Sequence, residues 1–289
     1  MNTAEQQIDE PESADGGLPL DDKEYQELRE LILEITGIQL ADNKQAMMRR
    51  RLSRRLQELG LDNFSEYCEF LRSGNPDERE QFANAVTTNL TAFFRENHHF
   101  EYLASSLLPE LIEEAHRTGK KIRIWSAGCS TGEEPYSIAM LINELCPAPR
   151  SVDIKILATD LDSSALAHCK AGVYSLDRVE KIPAERLRRW FSRGTGRNEG
   201  LVRIRPELRE LISFRRLNLM SGWPMKGPFD VIFCRNVIIY FDKATQKRLI
   251  ERYADILRPG GHLFIGHSES LLNMTERFTL LGKTIYKKA

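Results

Sequence analysis

A mostly parallel α/β sheet domain preceded by a small all-helical domain is the fold class that this sequence predicts. Three observations carry the prediction. Apolar residues recur at helical spacing from about residue 22 to 86. Beyond about residue 100, short apolar runs alternate with helical stretches. Those runs end in turns rich in Gly, Ser and Asp. A chain of 289 residues has room for one medium domain and a small one. Its hydrophobic (41%) and charged (29%) fractions are ordinary for a soluble globular protein. The net charge of -1 gives no global reason to expect nucleic acid or a membrane as partner. No apolar run approaches the about 20 residues that span a bilayer. The N-terminus lacks a basic segment followed by an apolar stretch, so neither a membrane insertion nor a signal peptide is expected.

Residues 1 to 20 are acidic and polar, offer little to bury, and predict a disordered tail. Residues 21–86 predict four short helices. Tyr25, Leu28, Leu31, Ile32 and Ile35 share the first face, which Gly37 is placed to end. Met48, Leu52, Leu56 and Leu59 form the second stripe, closed by Gly60. Phe64, Tyr67, Cys68 and Leu71 form the third, with Asp62 as the expected N-cap. Asn75-Pro76 reads as cap and first residue of the fourth. Residues 87–99 form a linker, and the α/β domain occupies 100–289. There a helix carrying Phe100, Leu103, Leu107, Leu111 and Ala115 leads into the strand Ile122–Trp125. Further runs lie at Ile154 to Thr159, Phe229 to Cys234 and His262 to Gly266, with a helix over about 243–257. Between about 174 and 216 the rhythm breaks, and Leu201 to Arg205 alternates, predicting a small β insertion.

The five cysteines are scattered without a C-x-x-C pair, which fits neither a zinc site nor a disulfide framework. Reduced thiols of a cytoplasmic protein are the simplest reading. His98 and His99 are adjacent and cannot face one metal from a helix, so no metal is expected.

The chemistry is expected in the loops. Ser126 to Pro135 follows the first strand with small residues that let a ligand approach a helix N-terminus. It is neither a G-x-G-x-x-G nor a Walker A loop, and its glutamates disfavour a pyrophosphate; a plain βα turn accounts for it equally. Asp160 ends the second run, where a carboxylate can accept two ribose hydroxyls, whereas Asp162 suits a helix cap. Thr87 to Glu96 concentrates hydroxyls, an amide, two aromatics and a cation, as a ligand-contacting segment or a packed hinge would. After Phe229 to Cys234 the chain turns abruptly polar, which places Arg235, Asn236 and Tyr240 beyond a strand's carboxyl end.

Four blocks together, TTNLTAFFRE, WSAGCSTGEEPYSIAM, FDVIFCRNVIIYFDK and LRPGGHLFIGHSES, resemble in content and order those of the chemotaxis receptor glutamate O-methyltransferases, the CheR family. The resemblance covers the chain from about residue 22 onward. It implies a Rossmann-like class I methyltransferase domain with an all-α N-terminal domain and a small β insertion. It also implies S-adenosylmethionine as cofactor, S-adenosylhomocysteine as product and no metal. Carried over position by position, the cofactor contacts are Asn89, Thr91, Arg95, Glu134, Asp160, Asn218, Leu219, Arg235 and Asn236. Arg95 and Tyr240 fall beside the transferred methyl as the catalytic pair.

The resemblance further implies the cytoplasmic helical domains of chemotaxis receptors as substrate, met by a monomer. The basic stretch holding Lys44, Arg49, Arg50, Arg51, Arg54 and Arg55 would dock them, although a solvated helix face is the bland alternative. The insertion around Arg193 to Ile204 resembles the subdomain that grips a receptor's C-terminal peptide, which a structural hairpin would mimic. Two rivals stand beside this reading. One is an enzyme of the same fold with another substrate, and the other a non-catalytic cofactor-sensing module.

Overall fold

The computed structural model describes residues 18–146 and 151–289. The expected disordered tail lies outside the described residues as far as residue 17. At its end Leu20 is buried and its carbonyl accepts a hydrogen bond from Gln45 Nε2 at 3.0 Å, so packing begins before the first helix.

Four helices follow: α1 (Asp22–Thr36), α2 (Gln45–Leu59), α3 (Phe64–Arg72) and α4 (Pro76–Val86). A reciprocal cap between Asp21 and Glu24 starts α1. Gly37 ends it at φ 77, and a Cβ there would stand 2.5 Å from Met220 Cγ. Asn63, not the expected Asp62, caps α3 by accepting from the Glu66 N–H. Asp62 sits one residue too early, and its own N–H donates to the Glu66 carboxylate. Asn75 and Pro76 open α4 as expected. Leu28, Ile32, Met48, Leu52, Phe64 and Phe82 close one apolar cluster with no exposed surface.

The helix expected around Phe100 is two segments, α5 (Asn97–Tyr102) and α6 (Leu108–Thr118), joined by a π turn over Leu103–Leu107. All five of its stripe residues are buried. Then come β1 (Ile122–Ala127), α7 (Glu133–Leu145), β2 (Ile154–Asp160) and α8 (Ser163–Ala171).

The insertion holds β3 (Val173–Ser175), α9 (Leu176–Val179), α10 (Ala184–Trp190), β4 (Phe191–Arg193), β5 (Leu201–Ile204) and α11 (Pro206–Arg209). Its antiparallel sheet runs β3-β5-β4. The expected span of about 174–216 is too long. β6 (Ile212–Arg216) pairs in parallel with β2 in the large sheet, because Ile212 and Phe214 bury into that sheet's core. The chain closes with β7 (Phe229–Cys234), α12 (Lys243–Ile256), β8 (Leu257–Ile265), β9 (Phe278–Gly282) and β10 (Ile285–Lys288).

The large sheet has the order β6-β2-β1-β7-β8-β10-β9. The first five strands are parallel, and β10 runs antiparallel to both neighbours. Alternation along its central strands feeds two cores. Ile124, Val231 and Phe233 face one cluster, while Trp125, Ile232 and Cys234 face the other. Burial on both faces is why these strands read as continuous apolar runs.

Candidate functional site

β1 lies between β2 and β7, so the chain leaves the β1 edge in opposite directions on its two sides. Such a switch point opens a crevice beyond the strands' carboxyl ends. The helical domain covers it. Arg51 Nη1 donates to the carbonyls of Ala85 (3.3 Å) and Thr87 (2.7 Å), fixing α2 to the start of the linker. The Gln39 N–H donates to the Tyr240 carbonyl at 2.8 Å, and Asn218 Nδ2 to the Ile35 carbonyl at 2.9 Å.

A cavity of about 410 Å³ lies between these parts. That is within the range of about 300–1,000 Å³ usual for small-molecule sites. Asn89, Asp160, Asn218 and Leu219 are on its wall, as are Arg235, Asn236 and Tyr240. Seven of the ten residues singled out from sequence thus converge from the linker and the ends of β2, β6 and β7. Thr91, Arg95 and Glu134 are not on this wall. Arg95 Nη1 donates to the Leu90 carbonyl at 2.8 Å, while its own carbonyl accepts from Arg235 Nη2. Glu134 is buried behind Arg235, accepting from Ser126 Oγ at 2.6 Å and Arg235 Nη1 at 3.1 Å.

Turn geometry makes the crevice narrow. Gly128, at φ 84, abuts the turn after β7, and a Cβ there would stand 2.4 Å from Val237 Cγ2. Ser130 (φ 49) and Asn236 (φ 58) adopt left-handed backbone on either side of the cavity, a strain typical of binding sites.

Asp160 is held ready to accept. Its carboxylate receives the Ser130 N–H at 2.7 Å and the Asp162 N–H at 3.0 Å. Burial pushes its pKa up to about 6 despite those two donors. Arg235 stacks over Phe100 and sits between two carboxylates, Glu134 at 3.1 Å and Glu96 at 3.3 Å. Burial raises Glu134, with Arg235 opposing. Burial would raise Glu96 too, but the His267 hydrogen bond and the Arg235 charge outweigh it and bring it down to about 2. Burial also raises the Tyr240 hydroxyl, and the Arg95 charge pulls the other way.

A model of the CheR methyltransferase SAM-binding domain matches residues 89–287, and one of the CheR methyltransferase all-alpha domain matches residues 23–87. The chain belongs to the CheR methyltransferase family. Chemotaxis protein methyltransferase 2 of Pseudomonas aeruginosa is 47% identical over 270 residues, 92% of this chain and 93% of that protein. The chemotaxis protein methyltransferase of Salmonella typhimurium is 46% identical over 93% of this chain and 91% of its own length. That of Escherichia coli is 45% identical over 93% of this chain and 92% of its own. As a CheR-family member the chain is an S-adenosylmethionine-dependent methyltransferase of chemotaxis.

The cavity suits that cofactor. Its wall offers a preoriented carboxylate for hydroxyls and mostly apolar surface for a base, and behind the wall Arg235 is matched by two carboxylates, a balance that favours a positively charged ligand.

Some contributors to this CheR-family site escaped the sequence reading. Asp162 is the helix cap it suggested, but its second oxygen also accepts from Thr87 Oγ1 (3.0 Å) and Asn89 Nδ2 (2.6 Å), anchoring the linker. Ile38, Gln39 and Met47 of the helical domain line the cavity without any motif to announce them, and Lys44, read as part of the basic docking stretch, is on its wall as well. His98 and His99, set aside as metal ligands because they are adjacent, have ligand atoms within 4.8 Å of each other and of a Glu96 oxygen. The His99 Nε2–H nonetheless donates to the Lys283 carbonyl (3.0 Å), and Glu96 already meets Arg235 and His267.

Proposed function

We propose that this chain methylates glutamate side chains of chemotaxis receptors, forming glutamate methyl esters. The convergence of three of the four sequence blocks, those around Asn89, Ser130 and Arg235, on one crevice at the sheet's switch point is the observation that carries this reading. S-adenosylmethionine supplies, when bound, a methyl group on a positively charged sulfur that leaves as a neutral thioether. Asp160 takes the ribose hydroxyls with a carboxylate already oriented by two N–H groups. Asn218, Leu219, Arg235 and Asn236 surround the remaining parts, with Asn89, Thr91, Arg95 and Glu134 completing the contacts from the linker and from behind Arg235.

A glutamate side chain, with a reference pKa of about 4.3, is ionised at neutral pH, so no general base is required. Alignment and exclusion of water then carry the rate enhancement. Arg95 orients the incoming carboxylate, and Tyr240 shapes the path of the methyl. No metal takes part in this scheme.

The substrate is the cytoplasmic helical bundle of a receptor, approached by a monomer in the cytoplasm. Of the basic stretch on α2, Arg51 ties the linker down and Arg55 pairs with Glu78, so these two hold the helical domain together. Arg50 and Arg54 are exposed. With Arg49 they remain the docking group. The edge of the β3-β5-β4 sheet is the place for a receptor's C-terminal peptide, added as a strand. No helix among the described residues is long and apolar enough to cross a membrane.

The test is transfer of labelled methyl from S-adenosylmethionine to receptor-containing membranes. The ester reading requires label that alkali releases as methanol; base-stable label would point to nitrogen or ether chemistry instead. Arg95→Ala and Tyr240→Phe should each cut turnover with cofactor saturating, and unchanged turnover in both would remove the roles given to them.

A further inference from the structure

Glu269 lies in the loop after β8, is 4% exposed, and has no cation within salt-bridge distance among the described residues. A buried carboxylate without a cation is costly unless hydrogen bonds satisfy its oxygens. Here four main-chain N–H groups do so. One oxygen receives Gly266 at 2.5 Å and Asn236 at 3.0 Å. The other receives Val237 at 2.9 Å and Ile239 at 3.3 Å. Three of the four donors belong to the turn after β7, the one with left-handed Asn236 and with Arg235 and Tyr240 at its ends. Gly266 seats the same turn, since a Cβ on it would stand 2.6 Å from Asn236 Nδ2 and 2.9 Å from Asn236 N.

We infer that Glu269 is a positioning residue for methyl transfer, clamping the main chain of residues 236–239 so that Asn236 and Tyr240 present themselves to the cavity. The clamp needs charge as well as shape. Each oxygen accepts two N–H groups, and in a glutamine one of those oxygens becomes an NH₂ that meets two donors head-on. Released, Asn236 would leave its left-handed conformation for an ordinary one and rotate its side chain relative to Arg235. The inference rests on reading this cavity as the cofactor site.

The experiment compares Glu269→Gln with Glu78→Gln, a buried carboxylate in the helical domain away from the cavity. The full-length protein is titrated with S-adenosylhomocysteine by calorimetry, its turnover measured on receptor membranes, and amide exchange followed at residues 234–241. For Glu269→Gln we expect at least a tenfold loss of affinity and of kcat, with the receptor KM within twofold. We also expect at least tenfold faster exchange at Asn236, Val237 and Ile239, while the β7 amides keep their protection. Glu78→Gln should lose thermal stability with affinity unchanged. Gly266→Ala, which pushes the turn without touching the carboxylate, should reproduce the affinity loss even if Glu269→Gln fails to fold. Wild-type affinity and turnover in either folded variant overturn the inference, and so does unchanged exchange over 236–239. If the wild-type protein itself takes up no S-adenosylhomocysteine, the cavity reading fails first, and the exchange result alone decides whether the clamp exists.

Discussion

An arginine–glutamate cluster of the helical domain and one of the α/β domain are built differently. In the helical domain Glu78, with 2% of its side chain exposed, accepts from Arg55 and from the fully buried Tyr67 hydroxyl at 2.8 Å. Arg55 also reaches Glu58 at 3.0 Å, but that carboxylate is 46% exposed, so only one anion of the cluster is buried, and both Glu78 oxygens are satisfied. In the α/β domain Arg235 faces two carboxylates, Glu134 and Glu96, and both Arg235 Nε and Glu96 Oε2 lack a hydrogen-bond partner. No residue of the first cluster lines the cavity, whereas Arg235 of the second is on its wall with the two carboxylates behind it. Complete satisfaction marks a structural tie, whereas a surplus of buried acceptors beside a cavity marks a place prepared for something else.

Removing Arg235 tests the contrast most severely. Arg235→Met strands two buried carboxylates, so stability should fall by about 3–5 kcal/mol in chemical denaturation, with S-adenosylhomocysteine uptake abolished. Glu78→Gln removes the matched partner of a part-exposed arginine. It should lower stability by about 1–2 kcal/mol and leave cofactor affinity intact. If the two variants lost affinity equally, the difference between the clusters would be illusory.

Asp160 sharpens the same distinction through pH. Its pKa is about 6 in the folded protein against an ordinary 3.8, so the folded state holds the proton more tightly. The cofactor-free protein therefore loses stability as pH rises from 3.8 to about 6. Asp160→Asn should remove that loss, melting at higher temperature than wild type at pH 7 but not at pH 4, while binding S-adenosylhomocysteine about tenfold more weakly. Thermal melts at the two pH values, with calorimetry at pH 7, read both effects. The smallest effect belongs to the surface. Arg54→Glu should change stability by less than about 0.5 kcal/mol and leave cofactor affinity alone. It should raise only the KM for receptor.

The contrast also explains what the sequence could reveal. Helix caps and strand runs act locally, so Gly37, Asn75, Pro76 and the Phe229–Cys234 run were readable, and Asp62 missed the true cap, Asn63, by one residue. Residues at strand ends were readable as a site because polar side chains interrupt apolar runs there, as at Arg235 and Asn236. Tertiary partners were not. Nothing local distinguishes Arg51, which bonds two carbonyls of the linker region, from Arg54, whose side chain is 85% exposed. Glu269 looks like an ordinary loop glutamate until the turn after β7 is folded against it. β9 escaped because its Leu280 and Leu281 are exposed and give no period, and β6 was joined to the insertion because only pairing with β2 separates them.

A crystal structure with S-adenosylhomocysteine bound tests the central claim most directly. The account requires the ribose hydroxyls on the Asp160 carboxylate and the sulfur facing Tyr240, within the crevice roofed by the helical domain. Product bound anywhere else, or bound there with Asp160 and Asn236 untouched, would contradict it.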